Sequence, residues 1–330
     1  LGGDAVRLHD TELDATERAV ERIRAGLRRS AERQPDPPVD VEAFVDRHLD
    51  RLAVARGLDD LAPVDLAIEA IVEALEPKRD LVARLGAVLA DDAIIATNTS
   101  ALSVTAIGSA ARRPERVLGL HFFNPVPAMR LVEVVVPVGV DPALVGIAVG
   151  TVERWGKVAI RCADTPGFIV NRVNRPFTIE ALRLLEAGTA SVEAIDGALR
   201  DAGYPMGPFE LMDLTGIDVN LAAATAIWEG LGRPDRLRPS PIQAALVADG
   251  HLGRKTGRGF YRYVDGRRAD VAVTPVGGFG IEREPAVIRE RIEAAIAEEA
   301  RLAAAAGVAS AADIRRARHL GAGHPGASAG

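Results

Sequence analysis

The chain has 330 residues, enough for two domains, and its 48% hydrophobic and 26% charged residues are the make-up of an ordinary globular protein. A net charge of −6 argues against a nucleic-acid or anionic-membrane surface, and no apolar stretch approaches the roughly 18 residues of a membrane helix, so neither partner is expected. The single cysteine, Cys162, excludes a disulfide framework and a thiolate metal cluster and makes a reducing, cytoplasmic setting the expectation.

The opening LGGDAVRLHD reads as a helix-to-strand turn at Gly2-Gly3 and a short strand, 5–9, ending at Asp10. TELDATERAVERIRAGLRRSAER then places Leu13, Ala19, Val20, Ile23 and Leu27 on one face and turns basic at Arg28, Arg29 and Arg33, as in an amphipathic helix whose last turn suits cations. QPDPP breaks it. Further strands are expected at 52–55, 64–71, 94–97, 117–122 and 131–136, with helices at 77–89 and 142–155. Short apolar runs alternating with helices predict a largely parallel, doubly wound sheet.

After a last strand signal at 158–160 the pattern changes. DTPGFIVNRVNRPFTIEALRLLEAG opens with an Asp-Thr-Pro helix start and closes on glycine, so a helical second domain is expected over 164–263, to the end of GRKTGRGFYRY. Residues 264–282 read as a linker. The tail, 283–330, repeats what precedes it: EALRLLEAGTASVEAI (180–195) aligns without a gap with EARLAAAAGVASAADI (299–314), and AGYPMG (202–207) faces AGHPGA (322–327). A duplicated helical unit is expected, its second copy partial.

Four features carry chemistry. Asp10, ending a strand near the start of a doubly wound domain, suits the two hydroxyls of an adenosine ribose, or merely caps the next helix. The G-x-G-x-x-G belonging roughly 20 residues before such an acid lies outside the sequence. TNTSALS (97–103) gathers hydroxyls and an amide after a buried strand, where one helix N-cap would explain Ser100 or Ser103 but not all of them. In VLGLHFFNPVP (117–127) His121 is either a packed core histidine or one presented at a strand end, and Glu133 sits in the apolar MRLVEVVV, where a carboxylate is costly unless paired. A His121–Glu133 pair answers both, fixing the imidazole tautomer and supporting its positive charge. The six histidines show no metal-ligand spacing.

NTSALS, GLHFFNPVPAMRLVEVV, DTPGFIVNR, GYPMGPFELMDLTG and GRKTGRGFYRY resemble, in this order and spacing, the NAD-dependent L-3-hydroxyacyl-CoA dehydrogenases of fatty-acid β-oxidation, over nearly all of residues 10–263. The resemblance implies an α/β Rossmann-type dinucleotide-binding domain at 1–163, its first strand and glycine loop missing, then an all-α C-terminal domain at 164–263 and a partial second copy at 283–330. It implies His121 as catalytic base, Glu133 as its partner, Ser100 and Asn171 around the reacting substrate, and Asp10, Glu73, Lys78, Asn98 and Ser100 on NAD. Glu73 and Lys78 would otherwise pass as surface charges. The implied substrate is an acyl-CoA, with Arg28, Arg29 and Arg33 either contacting coenzyme A phosphates or ending a solvated helix. A homodimer, or an intramolecular pseudo-dimer through the helical units, is expected. The chain is expected to be a fragment truncated at both ends, poorly stable and silent by itself. A dehydrogenase of a free hydroxy acid or sugar acid, and a non-catalytic scaffold, remain alternatives.

Overall fold

The computed structural model describes residues 3–273, 284–323 and 325. Strand β1 (Val6–Leu8) pairs in parallel with β2 (Leu52–Val54). Helices α1 (Leu13–Glu32) and α2 (Val41–Leu49) connect them as a hairpin, clamped by Arg28 bidentate on Glu42 (2.7 and 2.8 Å) and Arg24 on Asp46 (3.1 Å). Arg28 is thereby engaged within the hairpin, while Arg29 and Arg33 stay exposed.

The main sheet follows: β3 (Leu66–Glu69), α3 (Leu75–Val88), β4 (Ile94–Thr97), α4 (Val104–Gly108), β5 (Val117–Phe122), β6 (Leu131–Val136), α5 (Pro142–Arg154) and β7 (Val158–Ala163). Its spatial order is that of the chain, parallel throughout except between β5 and β6. That reversal follows from chain length, because the eight residues 123–130 are too few for a parallel crossover of about a dozen. The consequence is a register that sets His121 directly opposite Glu133. Gly119 faces Val135 in the same ladder, and a Cβ there would lie 2.7 Å from the valine Cβ. Burial on both faces explains the apolar runs of β4, β5 and β6, which only His121 and Glu133 interrupt within the latter two.

Beyond the sheet come α6 (Val170–Val173), α7 (Arg175–Glu186), α8 (Val192–Asp201), α9 (Pro208–Thr215), α10 (Ile217–Gly230) and α11 (Pro241–Ala248). Strands β8 (Tyr261–Val264) and β9 (Arg267–Val271) follow, then α12 (Pro285–Ala305) and α13 (Ala311–Ala322). Helix α12 buries Ile288, Ile292 and Ile296, one turn apart, in the core formed by Phe177, Leu182, Leu185 and Ile195. Two ion pairs cross between these helices reciprocally: Arg172 to Glu299 (2.8 Å) and Arg291 to Glu180 (3.1 Å), with both arginines and both glutamates separated by 119 positions (172 to 291, 180 to 299). The turns repeat as well, with Gly188 and Gly307 both left-handed, and Ser191 and Ser310 each capping the helix that follows.

Three expectations need correction. The helical region is not all-α, since β8 and β9 form an antiparallel hairpin that takes up the first part of the 264–282 linker. Its turn is Asp265-Gly266, both at positive φ, the two-residue geometry that Asp-Gly favours, and the charged sequence of β9 hid the strand. Asp164 does not start the next helix, which begins at Val170; it caps α4 instead, accepting bonds from Ser103 Oγ, Val104 N, Thr105 N and Thr105 Oγ1. The expected strand 64–71 shortens to Leu66–Glu69, because Glu69 turns its carboxylate back onto Ile71 N (2.7 Å). Residues 274–282 of the linker, and His324, Gly326 and Ala327 of AGHPGA, lie outside the described residues.

Candidate active site

Strand pairing brings His121 and Glu133 together in the interior, 4% and 0% exposed, with Nδ1 of the ring 2.6 Å from Oε2. The other carboxylate oxygen, Oε1, accepts two backbone amides, Ile169 N (3.1 Å) and Val170 N (2.8 Å), at the entry to α6. With both amides donating to Oε1, Oε2 is left as acceptor for the ring, and Nδ1 is the nitrogen that donates to it. The lone pair is then on Nε2, which has no partner among the described residues. Phe123 and Phe168 flank the imidazole, ring centroids 4.5 and 5.7 Å away.

The Ser100 loop leaves β4 beside this pair. Asn171, one residue into α6, donates Nδ2–H to Ser100 O (3.2 Å), while the Ser100 hydroxyl bonds to nothing among the described residues. Asn98 accepts Phe122 N on its side-chain oxygen (2.9 Å), which leaves its NH2 to offer a ligand. Glu73 closes the loop from the other side, its Oε1 accepting Thr99 Oγ1 (2.7 Å), Ser100 N (2.8 Å) and Ala101 N (3.1 Å). Burial alone would raise that carboxyl, but the Thr99 hydroxyl, the Ser100 amide and the Lys78 ammonium more than offset it and hold it below the usual range.

Lys78 is not a surface charge. It is 1% exposed, and its Nζ contacts Glu69 (2.7 Å), Ile71 O (3.2 Å) and Glu73 Oε2 (3.2 Å). Thr97 Oγ1 completes the cluster on Glu69 (2.6 Å). Sequence reading passed over Glu69, although it is a carboxylate ending the apolar run LAIE, the same kind of signal that singled out Glu133. Asp164, expected to start a helix, instead ties α4 to the start of the helical region. Asp10 stands apart from this group, exposed at the end of β1, with Oδ1 accepting Glu12 N (3.0 Å). Among the described residues no cluster of His, Cys, Asp or Glu is arranged to hold a metal, and no helix is long and apolar enough to cross a membrane.

Residues 2–165 match the family model for the NAD binding domain of 3-hydroxyacyl-CoA dehydrogenase, and 167–263 that for its C-terminal domain. The 3-hydroxyadipyl-CoA dehydrogenase of Escherichia coli K12 is 43% identical over 83% of the chain, which spans 57% of that relative's length. The mitochondrial hydroxyacyl-coenzyme A dehydrogenase of Sus scrofa is 40% identical over 79% of the chain and 84% of its own. The crystal structure of an Escherichia coli 3-hydroxybutyryl-CoA dehydrogenase superimposes with a TM-score of 0.87 at 33% identity, over 98% of this chain and 85% of that one. An imidazole oriented by a buried carboxylate near the carboxyl end of the central strand of a Rossmann-like sheet is thus set in a chain that belongs to the 3-hydroxyacyl-CoA dehydrogenase family, whose chemistry is the NAD-dependent oxidation of 3-hydroxyacyl-CoA.

Proposed function

We propose that His121 is the general base that takes the proton of the C3 hydroxyl of an L-3-hydroxyacyl-CoA, giving the 3-ketoacyl-CoA. The observation that carries this reading is the bonding of Glu133, which engages Nδ1 of the ring and leaves Nε2 without a partner among the described residues. The imidazolium formed is balanced by the Glu133 charge 2.6 Å away. General-base assistance of this kind is worth about 10²- to 10⁴-fold. The Ser100 hydroxyl and the Asn171 amide are placed to hold the oxygen that becomes the ketone. NAD, when bound, supplies the hydride acceptor. Asp10 would take its adenosine ribose, where the charge disfavours a 2′-phosphate, and Asn98 with Ser100 the nicotinamide end. Lys78, buried under Glu73, serves the cofactor through Glu73 and the loop it holds. The test compares NADH formation from L-3-hydroxybutyryl-CoA and from free 3-hydroxybutyrate; kcat/KM should favour the thioester at least about 100-fold, the scale of remote binding energy. Equal rates would favour a free hydroxy acid.

The domain arrangement proposed is 1–163 for cofactor, 164–263 for the helical unit, 264–282 as connector and 283–330 as a partial second helical unit. The reciprocal Arg172–Glu299 and Arg291–Glu180 pairs support the duplication, being what a two-fold contact between equivalent surfaces produces, here within one chain. A further parallel strand with a glycine turn is proposed to lie between β1 and β3. Each has one edge unpaired among the described residues, with Val6 49% and Ile68 40% exposed, and the strand order of dinucleotide folds places such a strand there.

A further inference from the structure

Among the described residues, three besides glycines have positive φ: Phe168 (49°), Arg233 (61°) and Asp265 (49°). Arg233 and Asp265 are exposed and sit beside Gly232 and Gly266 in turns, where left-handed backbone is ordinary. Phe168 is different. It is 1% exposed, in the core between the sheet and the helices, and a bulky residue held there carries backbone strain that its surroundings must enforce.

The enforcement is visible. Gly167 before it is also left-handed (77°), and a Cβ there would lie 2.7 Å from Ile227 Cδ1 and 3.0 Å from Arg172 N. Phe168 N donates to Thr165 O (2.9 Å) and Arg172 N to Gly167 O (3.0 Å), pinning the turn at both ends. Ile169 returns to right-handed backbone (φ −92°). A left-handed residue followed by a right-handed one turns successive amides to the same side, the geometry of an anion-binding nest. The anion in this nest is a side chain of the protein itself: Ile169 N and Val170 N both reach Oε1 of Glu133.

We infer that the left-handed backbone of Phe168 is a positioning element for the reacting pair, aiming the Ile169 and Val170 amides at Glu133 and so fixing the carboxylate that orients His121. The device joins the two halves of the molecule, because Glu133 belongs to the sheet and the amides to the start of the helical region. Given the reading of His121 and Glu133 as base and partner, the orientation of the base depends on the backbone of a residue that is itself fully buried.

The test is made by NMR on the 330-residue chain and needs no turnover. The Nδ1–H of His121, bonded to a carboxylate at 2.6 Å, gives a far-downfield proton resonance, identified by its loss in His121→Ala. Phe168→Gly and Phe168→Ala both remove the ring, but glycine accepts left-handed backbone and alanine resists it. The resonance should survive in Phe168→Gly and vanish in Phe168→Ala. Survival in both, or loss in both, overturns the role of the backbone. Should Phe168→Ala not fold, Glu133→Gln gives the second reading: hydrogen exchange at Ile169 N and Val170 N should accelerate at least about tenfold while Arg172 N and Val173 N stay within about twofold. Equal or absent acceleration at the four amides overturns it too. Both readouts follow the geometry of the pair, so their failure is distinct from a failure of the catalytic assignment, which turnover reads.

Discussion

A carboxylate inside a β-strand persists only when its charge is shared, and Glu133 shares it between one imidazole and two backbone amides. Glutamine keeps the shape and removes the charge, so Glu133→Gln should lower kcat by about 10²- to 10³-fold with KM within about threefold, since the interaction lost is one made to the protonated base. Steady-state kinetics with L-3-hydroxybutyryl-CoA reads the split. Lys78 sits in another buried ionic cluster, and Lys78→Met would strand Glu69 without its cation, a loss of about 3–5 kcal/mol by urea denaturation. His121 and Glu133 were legible because each is a polar residue in an otherwise apolar strand. Lys78 was not, because a lysine on a helix reads as solvated, and only the return of Glu69 and Glu73 over it makes it interior.

At the level of elements, strand register did what no single residue announces. The short β5–β6 connection forces an antiparallel pair and with it the His121–Glu133 opposition, a consequence readable from the eight-residue spacing. The strand positions were similarly readable from apolar runs. What charge concealed was β9, and what distance concealed was Asp164, whose capped helix begins sixty residues earlier in the chain. Helix α9 adds a pH-dependent contact: Asp196, fully buried, accepts Phe209 N (2.9 Å), Glu210 N (3.1 Å) and Tyr261 Oη–H (2.8 Å). Burial pushes its carboxyl up to about 7, with Glu210 adding repulsion, against the pull of those three donors. Because the folded state then binds the proton more tightly than the unfolded chain, this group's contribution is full below about pH 4 and declines as pH rises toward about 7. Asp213, also raised by burial, shifts in the same sense. Wild type should therefore lose more stability than Asp196→Asn between about pH 4 and 8, by about 4 kcal/mol at most, in urea titrations at each pH.

On the scale of the molecule, the chain combines two unequal solutions to burial. The helical region closes on itself: α12 covers α6, α7 and α8 through reciprocal ion pairs and an isoleucine stripe, and α13 packs on α6. The cofactor half divides into a two-stranded and a five-stranded sheet. The likeness of the 180–195 and 299–314 stretches was legible in the sequence, whereas the reciprocity of Arg172 and Arg291 appears only once the helices are packed. On the function proposed, the site removes a proton from a 3-hydroxyacyl-CoA through His121. Its most direct test is NADH formation from L-3-hydroxybutyryl-CoA, with a strand and G-x-G-x-x-G turn fused ahead of residue 1 to complete the proposed sheet. Turnover should be robust and fall by at least about 10²-fold in His121→Gln, with KM for the thioester little changed. Turnover that survives His121→Gln undiminished would contradict it.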